Sequence, residues 1–184
     1  MELRSEASIA AASAEIESQT DGIDLLINCA GTDARSFGAP PGERGPFDLD
    51  AETFNAVMEV NATGPMLVTK HMLPLLRAGR DAMVINVSSQ LGSMALAQTM
   101  GADTVYNVSK AALNMLSLKT ATAVQNDGIG VVVIHPGWVR TDMGGPSAAL
   151  TVDESANAIV DTIESLSIED SGRFIRWDGT DHPW

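Results

Sequence analysis

Short apolar runs alternate with longer helical segments along the chain. The three clearest runs cover residues 23–28, 83–88 and 130–135. A continuous apolar run of this length is typical of a strand that is covered on both faces of a sheet. Strands separated by helices usually pair in parallel, because each helical crossover returns the chain to the same end of the sheet. The alternation therefore predicts an α/β fold built on a doubly wound parallel sheet.

Helix-forming residues fill most of the segments between and beside these runs. The predicted helices cover about residues 5–18, 50–76, 104–125 and 151–166. Thr151 and Glu154 have the spacing of a capping box, which predicts that the last of these helices begins there. Residues 32–49 are rich in Gly and Pro and are predicted to form a long loop, while residues 174–177 favour a last, shorter strand.

The predicted helix over residues 50–76 contains an interruption. Asn61 follows Val57 at helical spacing, so its amide points to the apolar face and needs hydrogen-bond partners. Pro65, four residues later, cannot donate to the Asn61 carbonyl, so we expect a kink that frees this carbonyl to hold an ordered water. An ordinary proline kink in a core helix explains the same residues equally well.

The charge balance excludes some partners. The chain has 24 acidic and 11 basic residues and a net charge of −13, which argues against nucleic acid or an anionic membrane as the main partner. Its single cysteine, Cys29, excludes an internal disulfide and fits a reducing compartment, so we expect a cytoplasmic protein. The three histidines lack the spacing of metal ligands, and no metal site is expected.

Tyr106 and Lys110 are the strongest candidates for chemistry. Four residues apart on a predicted helix, they share one face. An ammonium beside a phenol favours the phenolate and lowers its pKa from about 10, and such a phenol can donate a proton to a reacting oxygen. Ser88 and Ser89 end the preceding strand and could hold that oxygen, although two serines can also simply cap a strand end. The combination indicates carbonyl reduction, but a Tyr and a Lys at this spacing are common by chance.

Four further motifs occur in order around this pair. They are Asn28 to Gly31 after the first strand, Asn61 in the interrupted helix, Ser88 and Ser89 after the second strand, and Pro136 to Thr141 after the third. The ordered set resembles the short-chain dehydrogenase/reductase family. Residues 86–93, 135–145 and 177–180 are most similar to its carbonyl-reductase branch, which contains the sniffer and C-factor proteins. The resemblance extends over nearly the whole chain.

The resemblance implies a role for each catalytic residue. Tyr106 would be the general acid, and Lys110 would hold the nicotinamide ribose and lower the pKa of Tyr106. Ser89 would polarise the carbonyl, with Ser88 as the alternative. Asn61 would anchor a water in a proton relay that reaches Lys110.

The resemblance also implies a cofactor groove and its closure. The residues that would border the cofactor are Asn28, Ala30, Gly31, Tyr106, Lys110, Pro136, Gly137, Val139 and Thr141. Trp138 and residues 142–150 would close over the substrate. The branch implies NADP(H) rather than NAD(H). Two simpler interpretations remain open: Asn28 as a bridge between strands, and Pro136 with Gly137 as an ordinary turn.

A glycine-rich turn for the cofactor phosphates is missing from the sequence. By the resemblance, residues 1–184 form one truncated domain, an incomplete Rossmann-like sheet whose strand at residues 23–28 lacks a neighbour. An unprotected apolar edge promotes pairing with other chains. We therefore expect a chain that is unstable alone, pairs this edge, or is a fragment of a longer product. The two long helices form the usual dimer surface of the family, which implies a homo-oligomer.

Two functions follow from the sequence. The first is NAD(P)H-dependent reduction of a small ketone or aldehyde by hydride transfer, and the lack of a phosphate-binding turn leaves the activity of this chain open. The second is a non-catalytic role of a truncated reductase, through protein contacts or signalling. The joint presence of Asn61, Ser89, Tyr106 and Lys110 favours descent from an active enzyme.

Overall fold

The fold is a four-stranded parallel sheet between two layers of helices. A computed structural model of the chain describes residues 1–40, 42, 44–97 and 103–184. The strands are β1 (Leu25–Asn28), β2 (Met83–Val87), β3 (Gly130–His135) and β4 (Phe174–Arg176). They pair in parallel in the order β1-β2-β3-β4. The predicted incomplete, doubly wound parallel sheet is confirmed.

Five α-helices connect and flank the strands in the described part of the chain. They are α1 (Glu6–Glu17), α2 (Ala51–Met58), α3 (Gly64–Ala78), α4 (Thr104–Val124) and α5 (Val152–Ser165). The capping box predicted at the start of α5 is present, because Thr151 and Glu154 each accept a hydrogen bond from the other's backbone N–H. None of the described helices combines the length and hydropathy that crossing a bilayer requires.

The two faces of the sheet carry separate hydrophobic clusters. On one face, Val84 and Val131 pack with residues of α1, α3 and α4. On the other face, Ile85, Val132 and Ile175 pack against α5. Side chains alternate between the faces of a strand, so these buried strands are apolar along their length, as the sequence predicted. Full burial of each such side chain stabilises the fold by about 1.5–3 kcal/mol.

Strand β1 is less buried than the sequence predicted. Leu25 is 44% exposed and Ile27 is 45% exposed, so the expectation of burial on both faces is wrong for this strand. Alternation places Leu25 and Ile27 on the α5 side of the sheet, where α5 packs over β2, β3 and β4. The opposite side chain, Leu26, packs into the cluster with α1 and α3. Strand β1 is thus an edge strand that is covered on one face.

This edge leads to a testable prediction about association. We expect the chain to self-associate as its concentration rises, because an apolar edge strand offers unpaired backbone groups to a second chain. Ile27→Lys should reduce this association, and Ile168→Lys, at a position that is 42% exposed and lies outside β1, should not. Sedimentation velocity over a range of concentrations measures the effect. A wild-type chain that stays monomeric throughout and melts cooperatively would contradict the prediction.

The helix predicted over residues 50–76 is divided by a π-helical turn. This turn covers Glu59–Thr63, between α2 and α3, and the Gly64 N–H donates to the Glu59 carbonyl across five residues. The turn ends two residues before Pro65, which has no N–H to donate to the Asn61 carbonyl. The departure from a regular α-helix predicted from Pro65 is therefore present, in the form of a wider turn.

The loop predicted over residues 32–49 contains regular structure. Ala34–Phe37 forms a short 3₁₀-helix, and Ala34 packs with Val57 of α2 and Val105 of α4 in a third hydrophobic cluster. Residues 41 and 43 of this loop lie outside the described residues. The loop is thus attached to the two helices that carry the candidate site.

Candidate active site

Tyr106 lies in the first turn of α4, at the carboxyl-terminal edge of the sheet. Asp103 caps this helix, and its Oδ1 accepts a hydrogen bond of 3.3 Å from the Tyr106 N–H. The other carboxylate oxygen of Asp103 pairs with Arg44 at 2.9 Å. An acidic cap satisfies a free N–H and complements the positive end of the helix dipole. The cap and its ion pair therefore fix the start of α4, and with it Tyr106, against the 32–49 loop.

Lys110 lies one turn along the same helix, with its ammonium at the end of β2. Its Nζ donates to the Val87 carbonyl at 2.9 Å, and the residue is only 3% exposed. Burial lowers the pKa of Lys110 to about 8. A Cβ on Gly31 would lie 3.5 Å from this Nζ. The end of β1 therefore approaches the ammonium closely, and the glycine leaves the space between them open.

Asn61 is fully buried and connects three parts of the site. Its Oδ1 accepts from the Thr32 N–H, and its Nδ2 donates to the Thr32 carbonyl, both at 2.8 Å. The same Nδ2 donates to Ser109 Oγ at 2.9 Å, and Ser109 donates to the Tyr106 carbonyl at 2.8 Å. The prediction that this amide faces the core and has partners is confirmed. Asn61 holds the turn after β1 against the helix that carries Tyr106 and Lys110.

The structure distinguishes the two candidate serines. Ser88 is buried and donates to Asn114 Oδ1 of α4 at 2.6 Å. The hydroxyl of Ser89 accepts from the Leu91 N–H at 3.1 Å and lies close enough to the Tyr106 phenol to lower its pKa. Ser88 is therefore engaged inside the protein, whereas Ser89 points to the phenol. This geometry favours Ser89, the first choice made from the sequence.

The expected effect of Lys110 on Tyr106 is wrong for this structure. Burial raises the pKa of the Tyr106 phenol above its ordinary value, and the nearby carboxylates Asp33 and Asp103 add to this increase, while the hydrogen bond with Ser89 opposes it. The Lys110 ammonium lies 5.8 Å from the centre of the phenol ring and donates to a carbonyl instead. The desolvation of the phenolate dominates, and the phenol is protonated at neutral pH.

The predicted cofactor residues after β1 have different environments. The Asn28 amide donates to Asn86 Oδ1 at 2.8 Å and to Thr69 Oγ1 at 3.2 Å, so it bridges strands as the simpler interpretation held. Ala30 and Gly31 are exposed at the end of the strand, where a ligand could reach them. The cofactor roles of all three residues stay predictions.

The segment after β3 forms a tight, braced turn. Gly137 has φ +87°, and a Cβ there would come within 2.4 Å of Leu150. Leu150 in turn donates to the Trp138 carbonyl at 3.0 Å and accepts from the Arg140 N–H at 2.9 Å. The simpler interpretation of Pro136 and Gly137 as a turn is thus compatible with the structure. Only glycine combines this backbone conformation with this packing.

Residues 139–145, further along the same segment, form the rest of this loop. Val139 bridges to Leu150, and the exposed Thr141 accepts from the Gly144 N–H through its hydroxyl at 3.1 Å. Gly145, within the segment predicted to close over the substrate, has φ +75°. The proposed contacts of Pro136, Gly137, Val139 and Thr141 with a nicotinamide remain predictions.

One interaction at the site was missed from the sequence. Arg35 pairs with the buried carboxylate of Asp33 at 2.6 Å and also donates to the Met143 carbonyl at 3.2 Å. It therefore connects the loop after β1 to the segment predicted to close over the substrate. No local pattern could reveal this contact, because the partners are 108 residues apart in the chain.

The environment of His135, at the end of β3, was also not predicted from the sequence. The ring is 3% exposed, and its Nδ1 accepts from the Gly137 N–H at 3.3 Å. Burial, together with the nearby His182 and Arg176, lowers the pKa of His135 to about 3. His135 is thus a neutral core residue. In the described part of the chain, no three His, Cys, Asp or Glu side chains are grouped as metal ligands would be.

This pKa predicts how stability depends on pH. Below pH 6.5 the unfolded chain protonates His135 and the folded chain does not, so the free energy of unfolding falls as the pH is lowered toward 3. We expect a loss of about 1.5 kcal/mol between pH 6.5 and about pH 5. Urea unfolding at the two pH values measures it. His135→Gln should remove most of this dependence, and His71→Gln should keep it; equal slopes in both variants would contradict the prediction.

Comparisons with known proteins agree with this geometry. A family model described as short chain dehydrogenase matches residues 1–150. A protein named C-signal from Myxococcus xanthus is 40% identical over 165 residues, which are 90% of this chain and 95% of that protein. The short-chain dehydrogenase anuI from Penicillium roqueforti is 32% identical over 170 residues, which are 87% of this chain and 64% of that protein. The chain thus spans nearly all of one relative and under two thirds of the other.

Solved structures show the same fold. The NADPH-bound carbonyl reductase from chicken fatty liver superimposes with a TM-score of 0.88 at 34% identity, covering 100% of this chain and 75% of that one. The carbonyl reductase Sniffer of D. melanogaster gives a TM-score of 0.89 at 33% identity, covering 100% of this chain and 76% of that one. On the family model, the sequence identities and these folds, the chain belongs to the short-chain dehydrogenase/reductase family, in its carbonyl-reductase branch.

Proposed function

We propose that this protein reduces a ketone or aldehyde to an alcohol with NAD(P)H, and that Tyr106 is the general acid. The observation that carries the proposal is the convergence of Asn61, Ser89, Tyr106 and Lys110 at the carboxyl ends of β1 and β2. Ligands of open parallel sheets bind in the crevice outside these strand ends. The family also supports an oxidoreductase function, because one of its carbonyl reductases has been solved with bound NADPH.

The residues present fit a nicotinamide cofactor. An ammonium has three donors, and the structure gives Lys110 Nζ one acceptor in the described part of the chain, the Val87 carbonyl. The other donors can bind ribose hydroxyls above Gly31, where no side chain blocks the approach. When bound, the reduced nicotinamide supplies the hydride that adds to the carbonyl carbon.

The chain's own residues would bind the carbonyl oxygen of the substrate and supply its proton. Ser89 lies near the Tyr106 phenol, whose pKa its hydroxyl lowers, and we propose that both hydroxyls bind one carbonyl oxygen. The raised pKa keeps Tyr106 protonated at neutral pH, and the phenol can then donate its proton as negative charge develops on that oxygen. Lys110 lies on α4, one turn after Tyr106, and Asn61 lies in the π-helical turn. We propose that these two residues help return a proton from solvent to Tyr106.

The proposal also covers the cofactor, the substrate, the cellular location and the assembly. We assign NADP(H) rather than NAD(H), because the chicken carbonyl reductase binds NADPH. The substrate is a small carbonyl compound, and the protein acts in the cytoplasm as a homo-oligomer.

Cofactor binding is the direct test. We expect the purified chain to bind NADPH saturably with a dissociation constant in the micromolar range, about −8 kcal/mol, and NADH more weakly, both followed by nicotinamide fluorescence. Lys110→Met should weaken binding, and Lys119→Met, at an exposed position on the same helix, should not. A folded chain that binds neither nucleotide would contradict the proposal.

A second function is favoured by one specific observation. This chain covers 95% of the protein named C-signal but 64% of the dehydrogenase anuI. By its similarity to the protein named C-signal, this chain would act through surface contacts in signalling instead of catalysis. Absence of both nucleotide binding and carbonyl turnover in the folded chain would favour this alternative.

A further inference from the structure

A cavity of about 270 Å³ lies beside the candidate active site. Its lining includes Gln90, His135, Trp138, Arg176, Trp177 and His182, and we call it the Arg176 cavity. Gln90 directly follows Ser89, and Trp138 directly follows Gly137. The cavity is therefore adjacent in the chain to the residue proposed to polarise the carbonyl and to the turn proposed to border the nicotinamide. Its volume is close to the lower end of the range for small-ligand sites.

Half of the residues that line the cavity carry planar rings. Trp138 and Trp177 line it, and the His135 ring packs edge-on against Trp177 with 5.6 Å between the ring centres. His135 and His182 lie 5.3 Å apart. Such walls favour a flat or aromatic group, which can stack on a ring or contact its edge.

The charge of the lining is opposite to that of the protein. None of the described residues that line the cavity is an Asp or Glu, although the chain has a net charge of −13. Arg176 contributes a permanent positive charge. Burial and the neighbouring Arg176 lower the pKa of His182, which keeps this imidazole neutral at physiological pH. The lining thus presents one cation to a ligand, and the carboxylate of Asp178, just outside the lining, lies 3.7 Å from this cation.

The guanidinium of Arg176 is held in place, but its ion pair is long. It stacks over the Trp177 ring at 4.4 Å. The nearest carboxylate is that of Asp178, at 3.7 Å, and both side chains are 41% exposed. In contrast, Arg44 and Arg173 pair with carboxylates at 2.9 Å and 2.7 Å. Guanidinium donors in a rigid fork are suited to a carboxylate.

His182 offers a second polar group. Its Nε2 is buried without a hydrogen-bond partner in the described part of the chain. The ring is fixed by edge-on packing on Phe174 at 4.8 Å between centres, and its backbone N–H donates to the Phe174 carbonyl at 2.8 Å. A buried polar atom without a partner is uncommon, because leaving it unsatisfied is destabilising. Because this nitrogen has almost no accessible surface, it faces the packed interior, and His182 contributes its ring to the cavity wall.

We propose that the Arg176 cavity binds a planar, carboxylate-bearing group, with the carboxylate on Arg176 and the flat part between Trp138 and Trp177. The identification of this group as the substituent of the carbonyl substrate rests on the proposed function. The substrate class is then an aldehyde or ketone that carries an aromatic acid.

Binding can be tested without turnover, because all three tryptophans report on this region. Trp138 and Trp177 line the cavity, and Trp184 packs on Phe174. We expect benzoate to change the tryptophan fluorescence saturably, with a dissociation constant of about 0.1–1 mM for a ligand of this size. Benzamide, which keeps the ring without the charge, and acetate, which keeps the charge without the ring, should each bind at least about tenfold more weakly.

Matched variants complete the binding test. Arg176→Gln should weaken benzoate binding about tenfold or more. Arg80→Gln is the control, since Arg80 is also loosely paired, with Asp24 at 4.0 Å, and its side chain is 91% exposed. Benzoate binding that is absent, is equalled by benzamide, or is unchanged in Arg176→Gln would overturn the proposal.

Turnover tests the substrate assignment separately. In the presence of NADPH, Arg176→Gln should raise the KM for 4-carboxybenzaldehyde about tenfold and leave the KM for benzaldehyde unchanged. An equal change for both aldehydes would overturn the substrate assignment. If neither aldehyde is reduced, the proposed function fails, while the benzoate titration still decides whether the cavity is a carboxylate site.

Discussion

Tyr106→Phe is expected to lower the turnover number for carbonyl reduction by about 10²–10⁴-fold, the range contributed by a positioned general acid. The substitution removes the hydroxyl, whose pKa the nearby Ser89 lowers, and keeps the ring in the first turn of α4. Because only the proton donor is lost, NADPH affinity and the thermal transition should change little. Steady-state kinetics with a small aldehyde, followed by the absorbance of NADPH, measures the loss.

The same residue allows an independent check of the mechanism. Tyr106 is the only tyrosine of the chain, so the ultraviolet titration of phenolate reports it alone. We expect it to titrate above its ordinary pKa, because burial raises the pKa. Turnover that is unaffected in Tyr106→Phe would remove Tyr106 from the mechanism. A titration well below the ordinary value would instead support direct control by Lys110.

Asn61→Ala is expected to lower the free energy of unfolding by about 2–4 kcal/mol. The fully buried amide makes three hydrogen bonds, two with the Thr32 backbone and one with Ser109 Oγ. Alanine would leave the Thr32 N–H and carbonyl without these partners in the interior, where the cost of unsatisfied groups is largest. Urea unfolding, followed by tryptophan fluorescence, measures the change.

The matched control for this prediction is Asn55→Ala. Asn55 lies on the exposed face of α2, so its replacement removes an amide from the same helical region without creating buried unsatisfied groups. Its effect should stay within about 0.5 kcal/mol. A similar small effect for Asn61→Ala would show that the turn after β1 does not depend on this amide. It would also weaken the argument that Asn61 aligns Gly31 with Lys110.

Much of the fold could be predicted because it depends on local patterns. The buried strand β3 has the bounds predicted from its apolar run, and α5 begins at the predicted capping box. Tyr106 and Lys110 share a helix face because their spacing is close to one helical turn. The wider turn before Pro65 follows from the missing N–H of that residue. Each of these features involves residues that are about four positions apart or form one continuous run.

Other features were decided by contacts between distant segments. The sequence alone could not show that α5 leaves β1 open, that Ser88 is engaged by Asn114 of α4, or that Arg35 reaches the Met143 carbonyl. It also led to the wrong direction for the pKa of Tyr106, because desolvation depends on everything that packs around the phenol and not on one charged neighbour.

The sequence by itself thus determined the order of strands and helices, the family and the set of candidate residues. The tertiary structure decided which serine faces the phenol, how the buried Lys110 ammonium is held, and that His135, Arg176 and His182 meet around one cavity. The physical reason is the distance along the chain over which each interaction acts. Backbone preferences and side-chain periodicity act over a few residues, whereas burial, desolvation and charge act through space between segments that only folding brings together.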